Sequence, residues 1–262
     1  MNNETLPPES DIPPRRWHVD LIAGVLLRPR RALAQIAALG HDSWLTPMVL
    51  LTVTALLAVL VAGPLRKAEV LSGEVTLPPG FEYYSPEQQA QFYQAQQARA
   101  GDTFVYVFPA LGGAARVWTG WLVTASLLHL GLTLFGVRGT LRLALSRVAW
   151  AGLPFAVRDL VRVLYMLAAR RLIAAPGLSG LMASAEGFGG QLALGILGLL
   201  DLYLVWHVVL LVLGVRAEAD PGPRKAWASV LATELVLLLV QAAPAAAAAQ
   251  LSSLTIIRPF LF

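Results

Sequence analysis

Long runs of apolar residues without a charged side chain are the feature that most constrains this chain. The run from Leu45 to Gly63 contains 19 residues and no Asp, Glu, Lys or Arg. With a rise of about 1.5 Å per residue, such a helix nearly crosses the ~30 Å hydrocarbon core of a bilayer. Only 14% of the 262 residues are charged, against about 25% in soluble domains. We therefore predict an all-α, polytopic bundle of membrane helices.

Four further segments have the apolarity of membrane helices, which brings the predicted count to about five. The predicted spans are 45–63, 117–136, 147–168, 190–214 and 226–248. A proline and three charged residues make the third span the least typical: Pro154, Arg158, Asp159 and Arg162. The apolar segment 104–115 contains Pro109 and is too short to cross a bilayer alone. It is either interfacial or a kinked extension of the second span.

Basic residues are distributed unevenly over the loops that five spans would create. With the N-terminus inside, the predicted cytoplasmic segments carry eleven basic residues, and the longer outward-facing segments carry six. Lys and Arg accumulate on the cytoplasmic side of membrane proteins. The bias predicts a cytoplasmic N-terminus and an outer C-terminus, in the cell (plasma) membrane.

The N-terminal region divides into a tail and an amphipathic part. Residues 1–16 are polar and proline-rich, so we predict a disordered tail. Residues 17–40 read as two amphipathic helices, the second opened by Pro29 in its first turn. These helices either lie on the inner membrane surface or form a docking site for a cytoplasmic partner.

The five predicted spans also define the segments that we expect to face outward. The outer loop, 64–116, contains a predicted helix over about 86–100, with Ser85 as its N-cap and Gln88 completing a capping box. Because this helix is polar almost all round, we predict a solvated cap rather than a ligand-binding element. A short outer tail, 251–262, ends the chain.

Seven ionisable residues fall inside the predicted spans, where each is costly and marks either function or internal pairing. They are His129, Arg158, Asp159, Arg162, Asp201, His207 and Glu234. Their depths predict an Arg158–Asp201 contact near the midplane. Nearer the cytoplasm they predict a contact of Glu234 with His207 or His129. Asp159 and Arg162 are three residues apart and can pair along one helix.

Two interpretations of this polar network remain open. In the first, it is a pathway for ions, protons or lipid headgroups, as in a small transporter, channel or lipid-translocating protein. In the second, it is a set of interhelical contacts that fixes the packing. If Arg116 at the outer boundary is counted, three arginines face three acidic residues, and this balanced charge favours the second.

The sequence carries no recognisable catalytic or metal-binding motif. HExxH, GxSxG and P-loop patterns are absent, the four histidines are scattered, and there is no cysteine. Asp159 and Asp201 would form a catalytic acid pair only if they faced each other without an arginine between them. The net charge of +4 is not organised as a basic cluster with interleaved aromatics. We therefore predict no enzyme activity, no cofactor, no metal and no nucleic-acid partner.

Four stretches resemble the Yip family, named for interaction with Ypt/Rab GTPases, in its bacterial form. In order they are RPRRALAQIA (28–37) with WLTP (44–47), LLHLGLTLFGVRGTLRLALSRVAWAGLPFAV (127–157), LLDLYLVWHVVLLVLGVRA (199–217) and RKAWASVL (224–231). The family-like positions are Pro29, Pro47, Pro154, Asp201, Trp206, Gly214 and Lys225.

The resemblance implies a five-span domain over 41–250 and a cytosolic N-terminus. It also implies a non-enzymatic role in membrane organisation or traffic, through protein or lipid partners. The expected partners are the bilayer and either other membrane proteins or further copies of this chain. An early DLYGP-type element of eukaryotic members is missing, which argues against a small GTPase as the partner.

Overall fold

The computed structural model describes residues 17–39, 43–72, 81–137, 139–182, 186–219 and 221–253. Its regular elements are all helical within these ranges. The α-helices are α1 (Asp20–Leu27), α2 (Pro29–Ala38), α3 (Leu45–Ser72), α4 (Pro86–Arg99), α5 (Phe108–Leu134), α6 (Leu141–Ala151), α7 (Leu153–Ala169), α8 (Gly187–Leu199), α9 (Leu202–Ala219) and α10 (Pro223–Ser253). The predicted tail at 1–16, and most of the one at 251–262, lie outside the described residues.

Within the described ranges, three helices are long and apolar enough to cross a membrane: Leu45–Ser72, Thr103–Leu134 and Pro223–Ala248. A fourth span results if α8 and α9, bent by 70° at the break between them, cross together. The count of about five and the orientation stay predictions.

The predicted third span is divided into two helices. α6 ends at Ala151 and α7 begins at Leu153, with Pro154 in its first turn. A proline fits there because the first turn has no intrahelical acceptor for its missing N–H. Residues that read as one interrupted span are therefore the end of one helix and the start of another.

The segment before the second span continues that span's helix. Thr103–Val107 forms a single π-helical turn that leads directly into α5, so 104–115 extends the helix rather than standing apart from it. Earlier in the segment 64–116, α4 carries the predicted capping box. The Gln88 backbone N–H donates to Ser85 Oγ, and the Ser85 N–H donates to Gln88 Oε1.

The amphipathic helices α1 and α2 turn their apolar sides toward the rest of this chain. α2 packs against α9, and α1 contacts α2 and α7. Val25, Leu33 and Ile36 are buried in this packing. The apolar sides of these helices are therefore covered by other helices of the same chain.

The inner core of the bundle is formed by α6, the start of α7 and the middle of α9. Trp150, Leu153, Leu210 and Val215 are fully buried there. Trp150 Nε1 donates a hydrogen bond to Ser43 Oγ at 3.0 Å, which satisfies its one polar atom in an otherwise apolar environment. These contacts fix α6 and α7 against α9, and so position the polar residues described next.

Candidate functional site

The break between α8 and α9 is closed by backbone hydrogen bonds from a preceding loop. The Leu178 N–H donates to the carbonyl oxygens of Leu197 at 2.8 Å and Leu200 at 3.1 Å. Gly177 has φ +58°, and a Cβ there would lie 2.7 Å from the oxygens of Leu197, Gly198 and Leu200. Unpaired backbone groups are very unfavourable in lipid. The loop therefore makes a helix break tolerable at this place.

Asp201 lies at the break and uses both of its carboxylate oxygens. Oδ1 accepts a hydrogen bond from the Leu204 N–H at 2.8 Å, so Asp201 caps the N-terminus of α9. Oδ2 accepts from Arg158 Nη1 at 3.4 Å. The predicted Arg158–Asp201 contact is thus present. Its setting differs from the predicted one, because Asp201 begins a helix rather than lying midway along a continuous span.

Further charges surround Arg158 on α7. Asp159 Oδ1 lies 3.7 Å from Arg158 Nε and 3.9 Å from Arg162 Nη1, so the local pair expected from the spacing is also present. We call four residues the charged cluster: Arg158, Asp159, Arg162 and Asp201. Its α7 and Asp201 side chains are 14–31% exposed, with Asp201 the lowest and Arg162 the highest.

A second ionisable pair joins α9 to α10. His207 Nε2 lies 3.3 Å from Glu234 Oε1, and the two side chains are 5% and 9% exposed. His207 Nδ1 lies 2.7 Å from the Ala151 carbonyl oxygen, which can only accept, so Nδ1 carries a hydrogen. Of the two predicted partners of Glu234, the structure brings His207 to it. His129 is half-buried on α5, and the described contacts do not join it to Glu234.

Phe155 contacts both His207 and Arg158, and the sequence did not identify it as a candidate site residue. Its ring centroid is 4.8 Å from that of His207, and the Arg158 guanidinium carbon lies 4.7 Å from the Phe155 centroid. A guanidinium above an aromatic face is attracted by the ring's electron density. The available signal was that Phe155 precedes Arg158 by three residues on one helix, where side chains meet.

The aspartates do not form an uninterrupted acid pair. Arg158 contacts both Asp159 and Asp201, with its guanidinium placed between them. That is the counter-ion arrangement, and it differs from the one that acid–base catalysis by two carboxylates requires.

The family-like positions have separate structural roles. Pro29 opens α2, and Pro47 and Pro154 are buried in the first turns of α3 and α7. A Cβ at Gly214 would lie 2.8 Å from Arg147 Cγ, so this glycine lets the Arg147 side chain cross α9 closely.

Two further positions lie on α9 and α10. Lys225 Nζ donates to the Phe135 carbonyl oxygen at 3.3 Å, and Trp206 packs half-buried against the core.

Comparison with known proteins places this architecture in a family. The family model of the Yip1 domain matches residues 23–243, which include the charged cluster, the His207–Glu234 pair and the seven family-like positions. Neither a curated protein nor a solved structure matches the chain. With its apolar helices, the match makes the protein an integral membrane protein in contact with the lipid bilayer. The chain belongs to the Yip1 domain family.

Proposed function

We propose that this Yip1-domain protein acts without catalysis, by binding protein or lipid partners in membrane organisation or traffic. The observation that carries the proposal is the mutual pairing of the ionisable groups inside the bundle. Arg158 contacts Asp159 and Asp201, and His207 contacts Glu234. Groups committed to one another in this way stabilise helix packing and are poorly placed to bind and release a transported ion.

The helix break supports the same proposal. In transporters with discontinuous helices, the exposed helix ends and unwound carbonyls coordinate the ion or substrate. Here the Leu178 N–H donates hydrogen bonds to the carbonyl oxygens of Leu197 and Leu200 at the end of α8, and the Asp201 carboxylate caps the N-terminus of α9. The position beside Asp201 where a free cation would bind is taken by the Arg158 guanidinium. The break is therefore closed by hydrogen bonds, and the cation beside Asp201 is part of the chain itself. We call the Arg158 guanidinium the tethered cation.

A small transporter, channel or lipid-translocating protein is the alternative function. The observation that favours it is the 70° break itself, because it places Arg158 and Asp201 at the meeting point of two helix ends. In that case Arg158 would leave Asp201 during a transport cycle.

Reconstitution into liposomes separates the two functions. Ion flux, proton flux and lipid scrambling are measured for the wild type, Arg158→Ala, Asp201→Ala and the control Arg171→Ala. Arg171 lies beyond the end of α7, where it is exposed and bonds the Tyr165 hydroxyl. The proposal expects a silent wild type. Wild-type flux that disappears in Arg158→Ala and Asp201→Ala, but persists in Arg171→Ala, would contradict it and support transport.

A positive test uses the tethered cation. Arg158→Ala vacates the position beside Asp201, so guanidinium ion at a non-denaturing concentration should restore part of the lost thermal stability, whereas sodium should not. The same addition should leave Asp201→Ala unchanged, because its carboxylate is gone. Equal responses of the two variants would contradict the tethered-cation interpretation.

We further propose that the protein lies in the cell membrane with its N-terminus in the cytoplasm, as the bias of basic residues suggests. The chain has no cysteine, so single cysteines can be labelled without background. A membrane-impermeant thiol reagent should label Gln94→Cys, exposed on α4, in intact cells. It should label Gln35→Cys, exposed on α2, only after permeabilisation. Labelling of Gln35→Cys in intact cells, with Gln94→Cys labelled only after permeabilisation, would show the opposite topology.

A further inference from the structure

The first helix, α1, is apolar on both of its sides. Its sequence is DLIAGVLL, with a single charged residue at the start. Val25 is completely buried where α1 packs on the bundle, but Val19, Ala23 and Leu27 are exposed, Leu27 to 80%. These three residues are spaced four apart and form one stripe, which we call the α1 stripe. A helix that is hydrophobic all round needs an apolar environment on every side, and the bundle supplies it on one side only.

α1 lies where the chain enters the membrane. The His18 N–H donates a hydrogen bond to Thr46 Oγ1 at 3.0 Å, which ties the start of α1 to the first turn of α3. α3 is one of the helices long and apolar enough to cross a bilayer, and it packs against α7, which α1 also contacts. Trp17, directly before α1, is exposed, and tryptophan is enriched at membrane–water interfaces. The cover that the α1 stripe needs is therefore the lipid that surrounds α3.

Three exposed arginines follow the α1 stripe: Arg28, Arg30 and Arg31. None of them forms an ion pair with the residues that the structure describes. Arg30 and Arg31 lie in the first turn of α2, which has no acidic residue and where positive charge opposes the helix dipole. These arginines therefore do not stabilise α2, and their charges are directed at an anion outside the chain.

We propose that α1 lies in the headgroup region of an anionic lipid leaflet, with the α1 stripe in lipid and the three arginines on lipid phosphates. An interfacial helix buries its apolar side about 5–10 Å into the boundary between headgroups and acyl chains. The arginine fork matches phosphate oxygens in geometry and charge. In the proposed orientation this leaflet is the cytoplasmic one, which carries anionic lipids. The inference rests on the proposed binding function and names its partner as anionic lipid.

Spin labels on single cysteines measure the depth of α1, because the chain has no cysteine of its own. Ala23→Cys places the label in the α1 stripe, and Gln35→Cys, exposed on α2, is the matched control. The full-length variants are reconstituted into vesicles of phosphatidylcholine and phosphatidylglycerol in equal amounts. The label at position 23 should be more accessible to oxygen, which concentrates in hydrocarbon, than to a water-soluble nickel chelate. The label at position 35 should show the opposite preference.

Arginine variants test the preference for anionic lipid. Native mass spectrometry counts the phosphatidylglycerol and the phosphatidylcholine that the full-length protein retains in a neutral detergent. Arg28→Gln, Arg30→Gln and Arg31→Gln should each weaken phosphatidylglycerol retention about fivefold and leave phosphatidylcholine retention unchanged. Arg31→Lys should keep most of the retention because it keeps the charge. Arg99→Gln, at an exposed arginine of the polar helix α4, is the matched control and should retain both lipids as the wild type does.

Two results would overturn the inference. One is a label at position 23 as accessible to the nickel chelate as the label at position 35, which would leave the α1 stripe to a protein partner. The other is phosphatidylglycerol retention that the three glutamine variants leave unchanged, or that Arg99→Gln lowers equally. The arginine variants should unfold at the wild-type temperature in detergent, so lost retention is separable from unfolding. Flux through wild-type liposomes would contradict the proposed function instead, whatever the depth of α1.

Discussion

The His207–Glu234 pair and the charged cluster show two ways of placing ionisable residues among apolar helices. The pair is sealed, with one partner on each of two helices, beside a core of fully buried apolar side chains. The cluster is more exposed and gathers charges from α7 and the α8–α9 break. Each residue of the sealed pair has a single ionisable partner, whereas the residues of the cluster lie near several charges and can exchange one partner for another. Substitutions should therefore cost more near the pair than in the cluster.

The largest effect should come from the core that encloses the pair. Trp150→Ala removes a fully buried ring and its hydrogen bond to Ser43, which should lower the free energy of unfolding by about 4 kcal/mol. Unfolding in mixed micelles measures this, with Trp17→Ala, at an exposed tryptophan, as the control. A similar small loss in both variants would show that the inner core is not the stable region.

The next effect tests whether the pair is a sealed unit. Glu234→Leu should cost about 3 kcal/mol, because it leaves His207 buried without its partner. Combining it with His207→Phe should recover most of that loss, since replacing both buried partners by apolar residues is often neutral. The unfolding free energies of the two single variants and the double variant measure the coupling. A double variant no more stable than Glu234→Leu would show that the loss does not come from leaving His207 without its partner, and would contradict the contrast drawn between the pair and the cluster.

A smaller effect separates the two roles of Asp201. Asp201→Asn keeps an N-cap acceptor and weakens the ion pair, whereas Asp201→Ala loses both, so the variants should differ by about 1 kcal/mol. The charge-swapped double variant, Arg158→Asp with Asp201→Arg, should recover the pair but not the cap, because arginine has no acceptor. Thermal unfolding in detergent measures each. A double variant as unstable as the single variants would mean that pairing contributes little.

The smallest effect gives a baseline on the solvent-exposed helix α4. The Ser85 hydroxyl donates to the Glu87 carboxylate at 2.8 Å and lowers the pKa of this fully exposed group below its ordinary value. That hydrogen bond contributes only above the Glu87 pKa and is lost as the pH falls through it. In Ser85→Ala the Glu87 pKa should rise toward its ordinary value in an NMR titration. Ser72→Ala, which removes a hydroxyl bonded to Ala68 O, should leave it unchanged.

Sequence reasoning predicted the helical class, the α4 capping box and the Arg158–Asp201 contact, because each depends on local spacing or on depth in a span. The bend at Leu200–Asp201 was not predicted. The segment 190–214 is continuously apolar around Asp201 and has no proline. The break depends instead on a backbone donor from Leu178, which periodicity along one segment cannot reveal.

Two other differences between the expected and the observed structure had a signal in the local sequence, but that signal was interpreted differently. Pro154 was interpreted as an interruption of one span, although a proline also suits the first turn of a new helix. Phe155 was counted as one more apolar residue, and its position between His207 and Arg158 depends on how α7 packs against α9. Composition predicted that the ionisable residues would pair, and tertiary packing determined which of them share a ring.

The Leu178 cap has a consequence for biogenesis. The loop that carries Gly177 and Leu178 is synthesised before α8, and Arg158 before Asp201, so every partner that the break needs is present when the ribosome completes it. His207, in contrast, must wait for Glu234 on the last helix. The bent joint can therefore form during membrane insertion, while the sealed pair is made only once the chain is nearly finished.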